Sequence, residues 1–194
     1  MRIEITFHGP FRVETGSARD GIAATVDRDE LVPASSVKGV MRASAKALLP
    51  SRLELVDDVF GDATENGPRR ASPWHWSAAV FDTEPAYEHR ARIAIDPTTG
   101  AARPEFFFLG EEVWATAATV DITQHRRLDP DTRDRHLTVL ACSAAGVHAL
   151  GADRRRGLGW VSVRPVDPPL DEAMLAKLED LGPGSAATSG GPRA

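Results

Sequence analysis

The order of its strand-like and helix-like segments constrains this chain more than any other feature. Residues 2–14 alternate apolar and polar side chains, which is the period of a half-buried strand. Residues 33–50 then carry apolar side chains at helical spacing, and Ser35 or Ser36 is predicted as the N-cap of this helix. Strand character resumes in residues 75–85. This order favours a mixed domain in which helices pack on one sheet.

The next part of the chain adds an insertion and then repeats the pattern. Two alternating runs, 89–95 and 104–109, flank the turn sequence DPTTG and predict a projecting hairpin within about 85–112. Residues 113–122 predict a core strand, and residues 134–150 predict an alanine-rich helix, after which a last strand follows. Without the insertion the order is βαββαβ. The predicted fold is therefore a single α+β domain of ferredoxin-like type with an inserted β-hairpin.

The same reading gives the domain limits. The predicted domain spans residues 1–166, followed by a short acidic helix within 167–182. Residues 183–194 are composed like a disordered tail, and residues 57–73 are predicted as a loop because they are rich in turn formers and charges.

Composition limits the cellular setting. The 194 residues are 42% hydrophobic and 26% charged, which suits one compact domain. We expect a cytoplasmic protein without membrane contact, because no signal peptide or bilayer-spanning apolar run is present. Cys142 lies in an apolar stretch and is predicted to be a buried thiol. The net charge of −5 argues mildly against a free-standing nucleic-acid binder.

The segment GADRRRGLGW, residues 151–160, is the most informative motif. Its glycines allow positive φ angles and close backbone approach, while its consecutive arginines are suited to phosphate oxygens. Together they predict a loop that grips phosphate; the alternative is a glycine-capped helix end with solvent-facing arginines. The candidate binding residues are Gly151, Arg154, Arg155, Arg156, Gly157 and Gly159.

A second anion-binding segment opens the first predicted helix. Hydroxyls and free amides at a helix N-terminus favour an anion, and Lys38 and Arg42 share a helical face near that end. The alternative is an ordinary helix start with a basic flank. The candidate phosphate contacts here are Ser35, Ser36, Lys38, Gly39 and Arg42.

The hairpin and the tryptophans give weaker signals. His89, Arg90 and Arg92 could line RNA, although a histidine on a hairpin is more often merely exposed. Trp74, Trp76 and Trp160 are interpreted as core or strand residues rather than as a stacking surface. The histidines show no metal-ligand spacing, so no metal site is predicted from them.

Five motifs, in their order along residues 1–166, resemble those of the CRISPR-associated RAMP superfamily. They are VPASSVKGVMRA, FGD, WSAAVFD, the hairpin sequence RARIAIDPTTGAA with FFFLGEEVWA, and GADRRRGLGWV. The resemblance implies a backbone subunit of a type III effector complex that holds a guide RNA (crRNA). Its implied partners are the guide RNA, complementary target RNA, other CRISPR effector subunits and further copies of itself. RNA binding itself would need no cofactor.

The resemblance also raises the question of cleavage. In target-cutting backbone subunits an aspartate in the loop before the first helix promotes metal-dependent cleavage of target RNA, with Mg²⁺ as the expected ion. The loop at 16–31 is shorter than in that pattern. Either Ala23 stands where the aspartate is expected, or Asp20 takes that role, with Asp27 as second choice. A further possibility is that these acids are solvated loop carboxylates without a role in cleavage. Beside guide-RNA binding and target cleavage, a third possible function is a capping or scaffold subunit that mainly contacts proteins, which the negative net charge suggests.

Overall fold

A computed structural model describes residues 1–14, 22–62 and 70–182. The elements of these segments are β1 (Arg2–Phe7), β2 (Ile22–Ala24), α1 (Ala34–Leu48), α2 (Leu53–Phe60), β3 (Trp74–Trp76), β4 (Val80–Phe81), β5 (Ala86–Ile95), β6 (Ala102–Trp114), β7 (Ala117–Gln124), α3 (Pro130–Ala145), a 3₁₀ turn (Arg154–Arg156), β8 (Val161–Asp167) and α4 (Glu172–Leu181).

One antiparallel sheet organises the core. Its strands lie in the order β3-β7-β1-β8, and β4 also pairs with β7. The alternation in β1 buries Ile3, Ile5 and Phe7, as expected of a strand with one face against the core. Helices α1 and α3 pack on each other, and they contact the edge strands β3 and β8 respectively. The result is a single mixed α+β domain.

Helix α1 starts differently from the sequence prediction. It begins at Ala34 with Pro33 as the N-cap residue, and no side chain caps it. The predicted serine cap was therefore wrong. Pro33 has φ −64° and ψ 151°, so its ring already holds the extended geometry that precedes a helix. Ser35 and Ser36 consequently lie inside the first turn.

Helix α2, Leu53–Phe60, overlaps the segment predicted as a loop from residue 57. That prediction was wrong because Val56, Val59 and Phe60 form a buried face between charged residues. The charges and the turn formers that follow obscured this short apolar pattern.

Two further boundaries differ from prediction. Helix α3 begins at Pro130 rather than 134, because Asp129 accepts the N–H of Thr132 at 2.9 Å and a proline fits the first helical position. It ends at Ala145 rather than 150. The strand predicted over 113–122 is divided, since β6 ends at Trp114 and β7 begins at Ala117.

The hairpin β5–β6 lies in the region for which it was predicted. Its turn is held by Asp96, whose Oδ1 accepts the N–H groups of Thr98 at 2.8 Å and Thr99 at 3.2 Å. Strand β2 pairs with β6 in parallel and completes a second, smaller sheet. Among the helices of the described segments, none combines the length and apolarity needed to cross a membrane. The predicted tail, 183–194, lies outside the described residues.

Candidate nucleic-acid interface

The first turn of α1 and the glycine-rich loop line one groove. Ser35, Ser36 and Gly39 form its helical wall, and Gly151 and Arg154 form part of the opposite wall, around a volume of about 440 Å³. These two segments were selected from the sequence independently and are more than 100 residues apart. The fold brings them together where the free N–H groups of a helix start favour an anion.

A second groove continues from the first along α1. It shares Ser35 and Gly39 with the first groove and extends to the basic residues Lys38, Arg42 and Arg70, with a volume of about 480 Å³. Gly39 is exposed, and a Cβ built on it would meet nothing within 4 Å. The backbone of α1 is therefore directly accessible at the position where the two grooves meet.

The two cations of α1 that line this groove, Lys38 and Arg42, already have partners. Arg42 Nη2 donates to Asp57 Oδ1 at 2.7 Å, and the Lys38 ammonium lies 5.0 Å from the centre of the Trp76 ring. Burial, together with the charge of Arg42, lowers the pKa of Lys38. Both side chains line the groove, but their positive charge is less available to a ligand than the sequence suggested.

The arginine turn, Arg154–Arg156, projects its charges outward. It is flanked by two left-handed residues, Asp153 with φ 54° and Gly157 with φ 86°. All three arginines are exposed, and Arg156 lies 3.7 Å from Asp153. Within the part of the chain that the structure describes, Arg154 and Arg155 have no ion pair. Arg154, which lines the groove, is therefore the cation there most able to neutralise phosphate, and the exposed Arg155 adjoins it in the same turn.

Glycines shape this loop through backbone geometry. Gly159 has φ 71°, and a Cβ there would overlap the carbonyl oxygen of Leu150. Gly151 has φ 88°, and its Cβ would overlap the carbonyl oxygen of Arg12. The prediction that the glycines of this loop take positive φ angles is confirmed for Gly151, Gly157 and Gly159.

The hairpin candidates bind carboxylates of the protein itself. Arg90 Nε lies 2.9 Å from Glu112 Oε1, and Arg92 donates to Asp153. His89 Nε2 lies 3.9 Å from Glu111 Oε1. Arg90 and Arg92 line a third cleft of about 680 Å³, so they remain close to solvent although they are paired. The other lining residues of this cleft include Arg12, Glu14, Phe108, Asp153 and Arg156.

The aromatic residues divide into two groups. Trp74 and Trp76 are 4% and 3% exposed, so their interpretation as core residues was correct. Trp160 is 60% exposed, so it is not a core residue, because it lies on the opposite face from the buried Val161. It does form a strand-like bridge with Ala149 next to β8. The sequence reading also missed the exposed hairpin phenylalanines Phe106, Phe107 and Phe108. Their exposure could have been predicted, because consecutive residues of a strand point to opposite faces and a projecting hairpin does not have both faces buried.

Of the cleavage candidates, Asp27 is not among the residues that line these grooves. Asp20 lies outside the described residues. Asp27 is exposed, and its Oδ1 accepts the N–H groups of Asp29 at 2.9 Å and Glu30 at 3.3 Å. Across residues 1–14, 22–62 and 70–182, no three His, Cys, Asp or Glu side chains are grouped to hold a metal ion.

Comparisons with known proteins give a family and a fold. A model of the RAMP superfamily matches residues 4–162. A cryo-EM structure of the type III-B Cmr-beta complex bound to cognate target RNA contains a similar chain, with a TM-score of 0.69 and 13% identity, covering 86% of this chain and 97% of that one. A chain of Cmr-beta in the apo state gives a TM-score of 0.66 and 12% identity, with 84% and 95% coverage. No curated protein matches in sequence.

Proposed function

Because this chain belongs to the RAMP superfamily, we propose that it is a guide-RNA-binding backbone subunit of a type III CRISPR effector complex. Its proposed partners are the guide RNA, complementary target RNA, other effector subunits and further copies of itself. The observation that carries the proposal is the groove in which the start of α1 meets Gly151 and Arg154. The similarity to chains of the Cmr-beta complex supports it through the fold.

The groove suits a phosphate backbone rather than base edges. The N–H groups of Ser36 and Val37 already donate to the carbonyl oxygen of Pro33 at 2.9 and 3.3 Å, so the donors that the start of α1 offers to an anion are the N–H groups of Ala34 and Ser35. No side chain caps the helix. Arg154 adds a charged donor from the opposite wall, and Arg155 is exposed next to it in the arginine turn. Contacts of this kind fix the register of a strand and carry no sequence information, so the bases stay free to pair with a target.

The strand order supports a ferredoxin-like arrangement. In the order β8-β1-β7-β3, all neighbours are antiparallel, which is what βαββαβ requires once the hairpin is set aside. The sheet face away from the core carries the ion pairs Arg2–Asp121 and Arg164–Glu4. This polar, self-paired face is a poorer platform for bases than the groove is for phosphates.

The decisive experiment measures how RNA affinity depends on salt. Each phosphate contact on a single strand contributes about 0.7 to the slope of log K against log salt. Replacing both Arg154 and Arg155 with alanine should therefore reduce the slope by about 1.4. The loss of RNA affinity between 50 and 200 mM salt should then be about sevenfold smaller than in the parent. The effect should be the same for RNAs of different sequence.

A matched control is available elsewhere on the chain. Arg126 and Arg127 are also adjacent and exposed, and they lie outside the residues that line the three clefts. Their double alanine variant removes the same charge and should leave the slope unchanged. If both double variants changed the slope equally, the binding would be diffuse, and if neither did, a scaffold that mainly contacts proteins would be the better proposal.

A further inference from the structure

One carboxylate joins the hairpin to the arginine turn. Asp153 holds the left-handed conformation that opens the turn, and its side chain is 16% exposed. It accepts hydrogen bonds from Arg12 and from Arg92 of β5, and Arg156 lies 3.7 Å away. Burial alone would raise the pKa of Asp153, but the bond from Arg92 and the surrounding guanidinium charges outweigh it and lower that pKa.

Arg12 anchors this carboxylate to the body of the domain. Its side chain is 2% exposed and lies 3.0 Å from Glu14 as well as against Asp153. Its carbonyl oxygen accepts the N–H of Ala152 at 2.7 Å, one residue before Asp153. Both the backbone and the side chain of Arg12 therefore fix Asp153, and the bond to Arg92 extends this fixed point to the hairpin.

The other face of the hairpin has its own attachment. Glu111 of β6 accepts from Arg28 at 2.8 Å and from the N–H of Val26 at 3.1 Å. Arg92 pairs in register with Phe108, whereas Glu111 pairs with His89, so alternation puts Arg92 and Glu111 on opposite faces of the hairpin. The base of the hairpin is thus held from both sides.

We propose that Asp153 is a positioning residue that sets the angle of the β5–β6 hairpin relative to the arginine turn. Without its charge, Arg12 and Arg92 would repel each other across the third cleft. The base of the hairpin would still be held at Glu111, by the pairing of β2 with Leu109 and Gly110, and by the hydrogen bonds between Phe11 and Val113, so the part beyond Arg92 would be held less firmly. The hairpin would then sample a range of angles. The effect of this motion on RNA binding rests on the proposed function, whereas the positioning of the hairpin by Asp153 does not depend on it.

The test measures the hairpin directly, without RNA. Nitroxide labels on Thr99→Cys, in the hairpin turn, and on Ser51→Cys, in the body, report the distribution of distances by pulsed EPR. Cys142 is 4% exposed and should stay unlabelled, which the parent chain checks. Asp153→Asn keeps a residue that tolerates left-handed backbone but removes the charge. We expect a narrow distribution for the parent and a broadened one for this variant.

Two further variants separate positioning from general stability. Asp134→Asn removes a carboxylate from the ion pair with Lys177, 2.7 Å away between α3 and α4, and should leave the distribution narrow. Arg92→Gln should broaden the distance distribution as Asp153→Asn does. The double variant should be little broader than either single variant, because both substitutions remove the same contact. All variants are compared well below their melting temperatures, so a loss of stability alone would not broaden the distribution.

The outcomes distinguish this inference from the proposed function. An unchanged distribution in Asp153→Asn would overturn the positioning role, even if RNA affinity fell. If the parent failed to bind RNA, the proposed function would be refuted. The EPR distance distributions would still show whether Asp153 positions the hairpin. Where the parent binds RNA, broadening should be accompanied by a loss of affinity of about fivefold or more.

Discussion

Replacing Gly39 should change stability and RNA binding in opposite directions. Gly39 is exposed within α1, and a Cβ there would meet nothing within 4 Å. Glycine inside a helix costs about 0.5–1 kcal/mol relative to alanine. Gly39→Ala should therefore raise the free energy of unfolding by about that amount, and the melting temperature by about 1–4 °C for a chain of this size.

The same position is where the two grooves meet, so a larger side chain there would occupy the proposed path of RNA. Gly39→Leu should leave the fold intact and lower RNA affinity about tenfold or more, which corresponds to about 1.4 kcal/mol. Thermal denaturation and filter binding measure the two effects. Ala47→Leu adds the same side chain to an exposed position in the last turn of α1, outside both grooves, and should bind normally. Wild-type affinity in Gly39→Leu would refute the location of the RNA.

Three other predictions concern the loop, the core and cleavage. Gly159→Ala should destabilise the chain by about 1–3 kcal/mol and by more than Gly157→Ala in urea denaturation, since both have positive φ but only Gly159 also abuts backbone. Burial lowers the pKa of His136, whose Nδ1 accepts a hydrogen bond from Trp74 Nε1 at 3.1 Å. At acidic pH the unfolded chain therefore binds more protons than the folded chain, and the melting temperature should fall as the pH drops below about 6.5. If assembled particles cut target RNA, cleavage should stop with EDTA or in Asp20→Ala while binding persists, and cutting by that variant would exclude Asp20.

Local periodicity predicted the elements that bury one complete face. Ile3, Ile5 and Phe7 alternate without interruption, and Val37, Met41 and Ala45 recur at helical spacing, so β1 and α1 could be recognised. Helix α2 could not be recognised, because it has only eight residues and its buried Val56, Val59 and Phe60 are separated by the acidic pair Asp57 and Asp58. A short helix is stabilised mainly by tertiary packing, which a local pattern does not reveal.

The candidate site was predictable in its chemistry but not in its pairing. Glycines with arginines, and serines at a helix start, indicate anion binding wherever they occur, and the fold placed both at one groove. The partners of the arginines lie far along the chain: Asp153 is 61 residues from Arg92, and Asp57 is 15 from Arg42. Neither separation along the sequence matches the period of a helix or a strand, so a sequence pattern cannot predict these ion pairs. For this reason the sequence alone indicated unpaired arginines.

This pairing also explains how a chain with a net charge of −5 can present a phosphate-binding groove. Asp57, Glu111, Glu112 and Asp153 each bind an arginine, so their charges are neutralised beside the grooves rather than directed at a ligand. Among the residues that the structure describes, Arg154 and Arg155 have no ion pair, so their charges remain available for the proposed phosphate contacts. Two strong cations and one helix start would hold a short RNA weakly in a single subunit. Several copies bound to one strand would add their contacts through high effective concentration, so tight binding should appear only with RNAs long enough to span more than one subunit.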